Sequence, residues 1–136
     1  MGRWAWKRFQ TSGYQHLVII MAYQASQHLA SGLGMDTAFM QQWRILKQRS
    51  KDPANPRKAF WQDLSAKLSI FQSNGDEIFL MLNANSDSED EDIIELTSYH
   101  GLFDLHTHIR DSAPPEIYRR ARGKKKIDFM LSKLAQ

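Results

Sequence analysis

Two asparagines, Asn83 and Asn85, close an apolar run, Glu77-Ile78-Phe79-Leu80-Met81-Leu82. In an extended strand, side chains at i and i+2 leave on the same side, so this spacing aims both carboxamides at one place. An apolar strand ending in two polar side chains is a common way to build an active-site floor. The same pattern also describes a buried strand followed by an ordinary asparagine-rich turn.

Three other groupings have the residue types for chemistry. His106 and His108 stand two apart, which on a strand would put both imidazoles on one face. Zinc needs a third ligand, and neither a cysteine nor a carboxylate at fixed spacing offers one, so no metal site is assigned. The acidic run Asp87, Glu89, Asp90, Glu91 and Asp92 lacks the central glycine and the closing glutamate of a calcium loop. It suits a solvated helix start instead, where negative charge meets the positive end of the helix dipole. The basic run Arg119, Arg120, Arg122, Lys124, Lys125 and Lys126 has the charge density to bind nucleic-acid phosphates, or to be an exposed hairpin. It leads into Ile127-Asp128-Phe129, where a carboxylate inside an apolar strand costs energy unless it is paired or working. No GxSxG, P-loop or GxGxxG is present, so acyl transfer and nucleotide cradling have no support.

The elements that must position these residues follow from period and punctuation. Residues 3–9 alternate Trp4 and Trp6 with polar neighbours, as an edge strand does, and a turn at Thr11-Ser12-Gly13 leads to His16-Leu17-Val18-Ile19-Ile20-Met21-Ala22-Tyr23. That second run is apolar on both parities, which predicts a strand covered on both faces and paired antiparallel with the first. Residues 24–34 read as loop. From Asp36, a plausible N-cap, Phe39, Met40, Trp43 and Leu46 fall at helical spacing. Asn55 and Pro56 then predict a capped second helix with an apolar stripe of Phe60, Leu64, Leu68 and Phe71, flanked by Trp61 and Ile70. The strand 77–85 follows. Residues 88–95 start a third helix, with Ile93, Ile94 and Leu96 on its apolar side. Residues 102–108 read as a short strand leading to a loop, 117–122 as extended, and 127–131 as a last strand. The mixture predicts helices on a mostly antiparallel or mixed sheet, an α/β or α+β layered protein.

Composition narrows the classes. The 136 residues make one domain or a piece of one. The absence of cysteine excludes disulfides and thiolate metal sites. No apolar run approaches the ~20 residues of a membrane span, and no apolar segment follows the basic N-terminus as in a secretory signal. Aromatic alternation from Trp4 onward reads as the middle of something, so an upstream segment is expected.

In order, the strand ending Ala22-Tyr23, the helix Pro56-Arg57-Lys58-Ala59-Phe60-Trp61, the strand ending Leu82-Asn83-Ala84-Asn85, and Arg122-Gly123-Lys124-Lys125-Lys126-Ile127-Asp128-Phe129 resemble the C-terminal half of the endonuclease/exonuclease/phosphatase superfamily. The nearest look is to the endonucleases of non-LTR retroelements, and the resemblance covers nearly the whole chain. It implies an α/β fold, a partial four-layer sandwich of mixed sheets with outer helices, spanning 1–136. It also implies Mg²⁺-dependent hydrolysis of phosphoesters, DNA or RNA as partner, the remainder of a larger polyprotein, and nuclear residence by analogy. Carried over, Tyr23 resembles the tyrosine facing the phosphate, Asn83 stands at the water-activating aspartate, Asn85 matches the phosphate-holding asparagine, and Asp128 resembles the aspartate that orients the catalytic histidine.

The departures bear on activity. Asn83 replaces the base, and an amide takes no proton from water at neutral pH. Leu82 replaces the motif's glycine. The metal-binding glutamate would precede Met1, and the Ser-Asp-His segment would follow Gln136. The expectation is a truncated or degenerate phosphodiesterase-like domain, inactive alone. The alternatives are a non-enzymatic nucleic-acid-binding module using residues 119–126, and a small protein-interaction domain.

Overall fold

A computed structural model describes residues 3–13, 15–26, 37–49, 55–86, 88–110, 118–120, 123–125 and 128–133. Strands β1 (Arg3–Gln10), β2 (His16–Tyr23), β3 (Glu77–Asn83), β4 (Phe103–Asp104) and β7 (Asp128–Lys133) form one five-stranded sheet in the order β1-β2-β3-β7-β4. Helices α1 (Ala38–Arg49) and α2 (Pro56–Ser73) lie between β2 and β3, and α3 (Glu91–His100) and α4 (Leu105–Arg110) flank β4. Strands β5 (Tyr118–Arg120) and β6 (Gly123–Lys125) make a separate antiparallel hairpin. The chain is an α/β protein with a mixed sheet: β2 and β3 run parallel, and every other pair is antiparallel. A parallel pair needs a long crossover, and α1 and α2 supply it.

Burial alternates along the sheet and defines two faces. Val18, Ile20, Ala22, Ile78, Leu80, Leu82, Phe129 and Leu131 point into a core closed by Phe60, Leu64, Leu68 and Phe71 of α2 and by Ile93 and Leu96 of α3. On β1 the same face carries Trp4, packed on the core, Trp6, whose ring meets Phe71 edge-on at 5.0 Å, and Arg8. Arg8 donates to Oδ1 of buried Asp76 from Nε at 3.0 Å and Nη2 at 2.5 Å, pinning the edge strand to the turn before β3. Among the described residues the second parity of β2 is only partly covered, where the apolar run had predicted cover on both faces. Ile19 is half-buried and Met21 is 62% exposed.

Local signals set the helix ends. Asn55 caps α2 by accepting from the Arg57 and Lys58 amides, with Pro56 in the first turn. Asp90 caps α3, which ends at left-handed Gly101. The cap of α1 is Thr37, whose Oγ1 accepts from the Met40 amide; Asp36 lies outside the described residues. Ile70 and Ile94, counted with the apolar stripes, are 51% and 49% exposed, because each sits one position off the buried row of its helix. Arg57 joins the two helix starts, donating to Asp90 at 2.6 Å, to Asp92 at 3.2 Å and to the Ser86 hydroxyl.

Residues 102–108 differ from the expected strand and loop. The strand lasts two residues, and α4 begins at Leu105 because Asp104 Oδ1 accepts from the His106 amide at 3.1 Å. His106 and His108 are consequently on a helix, where i and i+2 diverge, and do not share a face. The His108 ring lies 4.9 Å from Phe103.

Among the described residues one histidine is buried in the interior. His100 is 2% exposed, with Nδ1 2.9 Å from Gln72 Oε1, Nε2 2.8 Å from the Ser65 hydroxyl, and its carbonyl accepting from Gln72 Nε2 at 2.7 Å. A neutral ring satisfies both contacts, donating to Gln72 and accepting from Ser65. Burial, and secondarily the Lys133 charge, lower its pKa from the usual 6.5. The unfolded chain then binds a proton that the folded chain refuses, so this contribution is intact above about pH 6.5 and declines as pH falls below it. Urea midpoints should fall on acidification through that window, and more steeply in the wild type than in His100→Gln. Equal slopes would show that His100 is not the group responsible.

Candidate functional site

Strand register brings three of the expected residues together. Tyr23 ends β2, Asn83 ends β3 and Asp128 begins β7, and Asn83 pairs with Tyr23 on one side and Asp128 on the other. Arg3 pairs with Tyr23 and completes the row on β1. All four belong to the sheet face opposite α2 and α3. Directly opposed residues in antiparallel neighbours have Cβ atoms about 5 Å apart, so the Asn83 and Asp128 side chains are within mutual reach. The Arg3 guanidinium lies 5.8 Å from the centre of the Tyr23 ring, which is 39% exposed. With His106 they rim an open depression of about 750 Å³ whose floor is apolar, including Met21, Met81 and Met130.

Asn83 Oδ1 is buried and has no hydrogen-bond partner among the described residues. A buried amide oxygen without a partner costs about 1–3 kcal/mol, so this end of the sheet carries an unused acceptor. Asp128 is half-buried at the first position of its strand, not enclosed within an apolar one.

Asn85 departs from the expected arrangement. The strand stops at Asn83, and Asn85 adopts φ 48°, a left-handed conformation that asparagine tolerates better than most residues. Its Nδ2 donates to the Gln24 carbonyl at 2.6 Å, which directs it to a structural contact instead of the depression. Parity along a strand does not extend past the strand's last ladder bond.

Gln24 is the residue the sequence reading left in a loop. It is 1% exposed, and its amide donates to the Asn83 carbonyl at 2.9 Å. With its side-chain oxygen toward α2 it accepts from Trp61 Nε1 at 2.9 Å, and its side-chain nitrogen donates to the Ala84 carbonyl. A signal existed: Gln24 continues the buried parity of Val18, Ile20 and Ala22. Arg3 was also missed, because only register assigns it to the same row as Asn83, and His106, singled out with His108, reaches the depression without it.

The fit to magnesium is poor. Among the described residues no group of three or more His, Cys, Asp or Glu stands together. Mg²⁺ takes six oxygens in octahedral array, usually with one or two carboxylates, and this row offers one carboxylate and one amide oxygen. Of the basic run, the backbone places Arg119 opposite Lys124 and Arg120 opposite Gly123 in the β5–β6 hairpin, with Lys125 opposite Tyr118. Arg122 and Lys126 lie outside the described residues. Among the described residues no helix is long and apolar enough to cross a membrane.

No protein-family model and no curated protein sequence matches the chain. Among solved structures it is similar to the human Nocturnin catalytic domain with bound sulfate anion, an endonuclease/exonuclease/phosphatase-fold protein, with a TM-score of 0.53 and 16% identity. The chain carries part of that fold. The match covers 89% of this chain and 37% of the other, so the chain spans a little over a third of that domain's length. The likeness is one of fold, and it agrees with the α/β layering.

Replacing Asn83 by Asp would place two carboxylates opposite each other across β3 and β7. Asn83→Asp should lose about 1 kcal/mol at neutral pH through like-charge opposition. Part of that loss should return with millimolar Mg²⁺, which would bridge two carboxylates. Urea melts with and without the metal measure this, and an unchanged midpoint throughout would mean that the two side chains do not meet.

Proposed function

We propose that the chain is a degenerate phosphodiesterase-like domain of mobile-element origin that holds a phosphoester of DNA or RNA without cleaving it. One observation carries this reading: Tyr23, Asn83 and Asp128 stand side by side in register at one sheet end, with an amide at the position where the resemblance requires a base. The Asn83 Nδ2, the Tyr23 hydroxyl and the Arg3 guanidinium are donors, which suits an oxyanion. None of them removes a proton from water at neutral pH. The sulfate on the human Nocturnin catalytic domain lends support, since sulfate is a tetrahedral oxyanion like phosphate. Magnesium, which the resemblance implies, would need carboxylates beyond this row. A larger polyprotein would supply them, and nuclear residence would follow from the mobile-element origin.

A second reading is favoured by the hairpin register. Arg119 stands opposite Lys124, and like charges directly opposed in a ladder are destabilising, so a polyanion laid along β5 and β6 would relieve them. On this reading residues 119–126 bind nucleic acid whatever the sheet end does.

Fluorescence anisotropy with single-stranded DNA and RNA oligonucleotides, alongside plasmid nicking in millimolar Mg²⁺, tests both. Expected are binding whose log affinity falls linearly with log salt, at a slope near −0.7 for each phosphate neutralised, and nicking at background. Alanine at Arg119, Arg120, Lys124 and Lys125 should weaken binding at least tenfold, about 1.4 kcal/mol. Nicking by the wild-type chain would overturn the inactive reading. Unchanged binding by the alanine variant would remove the hairpin.

A further inference from the structure

On the helical side of the sheet, Ser65, His100 and Gln72 form a chain of hydrogen bonds whose every role is forced. Gln72 Nε2 donates to the His100 carbonyl at 2.7 Å, and a carbonyl only accepts, so the orientation of the Gln72 amide is fixed. Its Oε1 then faces Nδ1 of the ring at 2.9 Å and, having no proton of its own, requires the hydrogen on Nδ1. A neutral ring protonated there offers only a lone pair at Nε2, so the Ser65 hydroxyl, 2.8 Å away, must donate to it. Nucleophile, base and orienting group stand in this order where a serine hydroxyl is activated.

The setting of Ser65 separates this arrangement from a simple tie between helices. A serine inside a helix can return its hydroxyl to the carbonyl four residues back, as Ser69 does to Ser65 at 3.1 Å. Ser65 gives its proton to the imidazole instead. His100 is 2% exposed, whereas Ser65 is half-buried and lines the groove of about 650 Å³ between α2 and α3. The base is enclosed and the hydroxyl borders a space that a small molecule can enter. We propose that Ser65 is a nucleophile that takes the acyl group of a small, uncharged carboxylic ester bound in this groove, with His100 as its base and Gln72 positioning the ring.

In the acylation step Ser65 Oγ bonds to the ester carbonyl carbon while its proton passes to His100 Nε2. Collapse of the tetrahedral adduct breaks the bond to the leaving alcohol, which takes that proton from Nε2. Water, giving its proton to the same nitrogen, then releases the carboxylic acid and restores the serine. The groove sets the substrate class. Trp61, Ala66 and Leu96 line it with apolar surface, and Lys58 is offset by Asp92 and Glu95, so neither an anion nor a cation is favoured. Ser65 lies inside α2, where its own amide is committed to the helix ladder and supplies no oxyanion hole. Gln62, one turn earlier on the same flank, also lines the groove and carries the side-chain amide that can face the developing oxyanion. One such donor makes for slow turnover, and phenyl esters, with their good leaving group, are the substrates expected. The site lies across the sheet from the Asn83 row and does not depend on the phosphoester reading.

Three measurements on the whole chain test it, with circular dichroism confirming that each variant is folded. Incubation with p-nitrophenyl acetate followed by peptide mass spectrometry should find the acetyl group on Ser65, and His100→Gln should slow its appearance about a hundredfold. The chain has no cysteine, so Ser65→Cys introduces a single thiol. Iodoacetamide should alkylate that thiol at neutral pH at least tenfold faster than the one in Ser69→Cys, on the same groove, because a neighbouring imidazole favours the thiolate. Adding His100→Gln to Ser65→Cys should remove the advantage. Nitrogen NMR of the His100 ring should show Nδ1 protonated, a preference that Gln72→Leu should lose. Acetylation that spares Ser65, a Ser65→Cys thiol no faster than the Ser69→Cys thiol or indifferent to His100→Gln, or a wild-type ring protonated at Nε2 would each overturn the proposal.

Discussion

The buried carboxamide of Gln24 ties three elements at one point. Its backbone amide bonds the last carbonyl of β3, its side chain spans Trp61 of α2 and the Ala84 carbonyl, and its own carbonyl receives Asn85. Trp61 is itself buried, so its indole N–H has no water to fall back on. Truncating Gln24 would leave this donor and a carbonyl unpaired in the interior, at about 1–3 kcal/mol each. That penalty fixes where β2 stops, and because β2 and β3 are parallel and adjacent it fixes where β3 stops as well.

The row Arg3, Tyr23, Asn83 and Asp128 depends on that stop. A slip of one residue between β2 and β3 would turn Asn83 into the core and send Leu82 to the open face, since strand side chains alternate. The covered face resists such a slip, because Ile20, Leu80 and Leu131 fit against Leu64 and Leu68 without exposure. At the far edge, the Arg8–Asp76 pair holds β1 in the same register. Specificity of register therefore resides in the covered face, and the open face inherits its alignment.

Much of this was legible. The strands β1, β2 and β3, the Asn55–Pro56 start of α2 and its row Phe60, Leu64, Leu68 and Phe71 follow from period and capping, and the structure bears them out. Register sets Tyr23, Asn83 and Asp128 side by side, which motif order alone does not specify. Three features were not legible. The alternation Leu102, Phe103, Leu105 mimics a strand, and only the capping of His106 by Asp104 turns it into a helix. Asn85 leaves the strand parity because its left-handed backbone, φ 48°, is a tertiary choice made with Gln24. The burial of Gln24 follows the parity of Val18, Ile20 and Ala22, but a polar residue after a strand normally reads as loop, and its partner Trp61 arrives only with the helix.

The two faces of the sheet also explain why the polar row can persist. Polar groups aimed into the covered face would need internal partners, as Gln24 has; on the open face solvent or a second surface can serve them. Asn83 shows the limit of that freedom, its Oδ1 shielded from water yet without a partner among the described residues. An acceptor in that position attracts a donor, and Arg3 is the cation in its own row, already drawn to the Tyr23 ring. Packing a second surface on this face lowers the local dielectric and raises the cost of leaving Asn83 unpaired. Covering the face and completing the polar row are thus one physical problem: whatever buries Met21 and Met81 must also bring a hydrogen-bond donor to the end of β3.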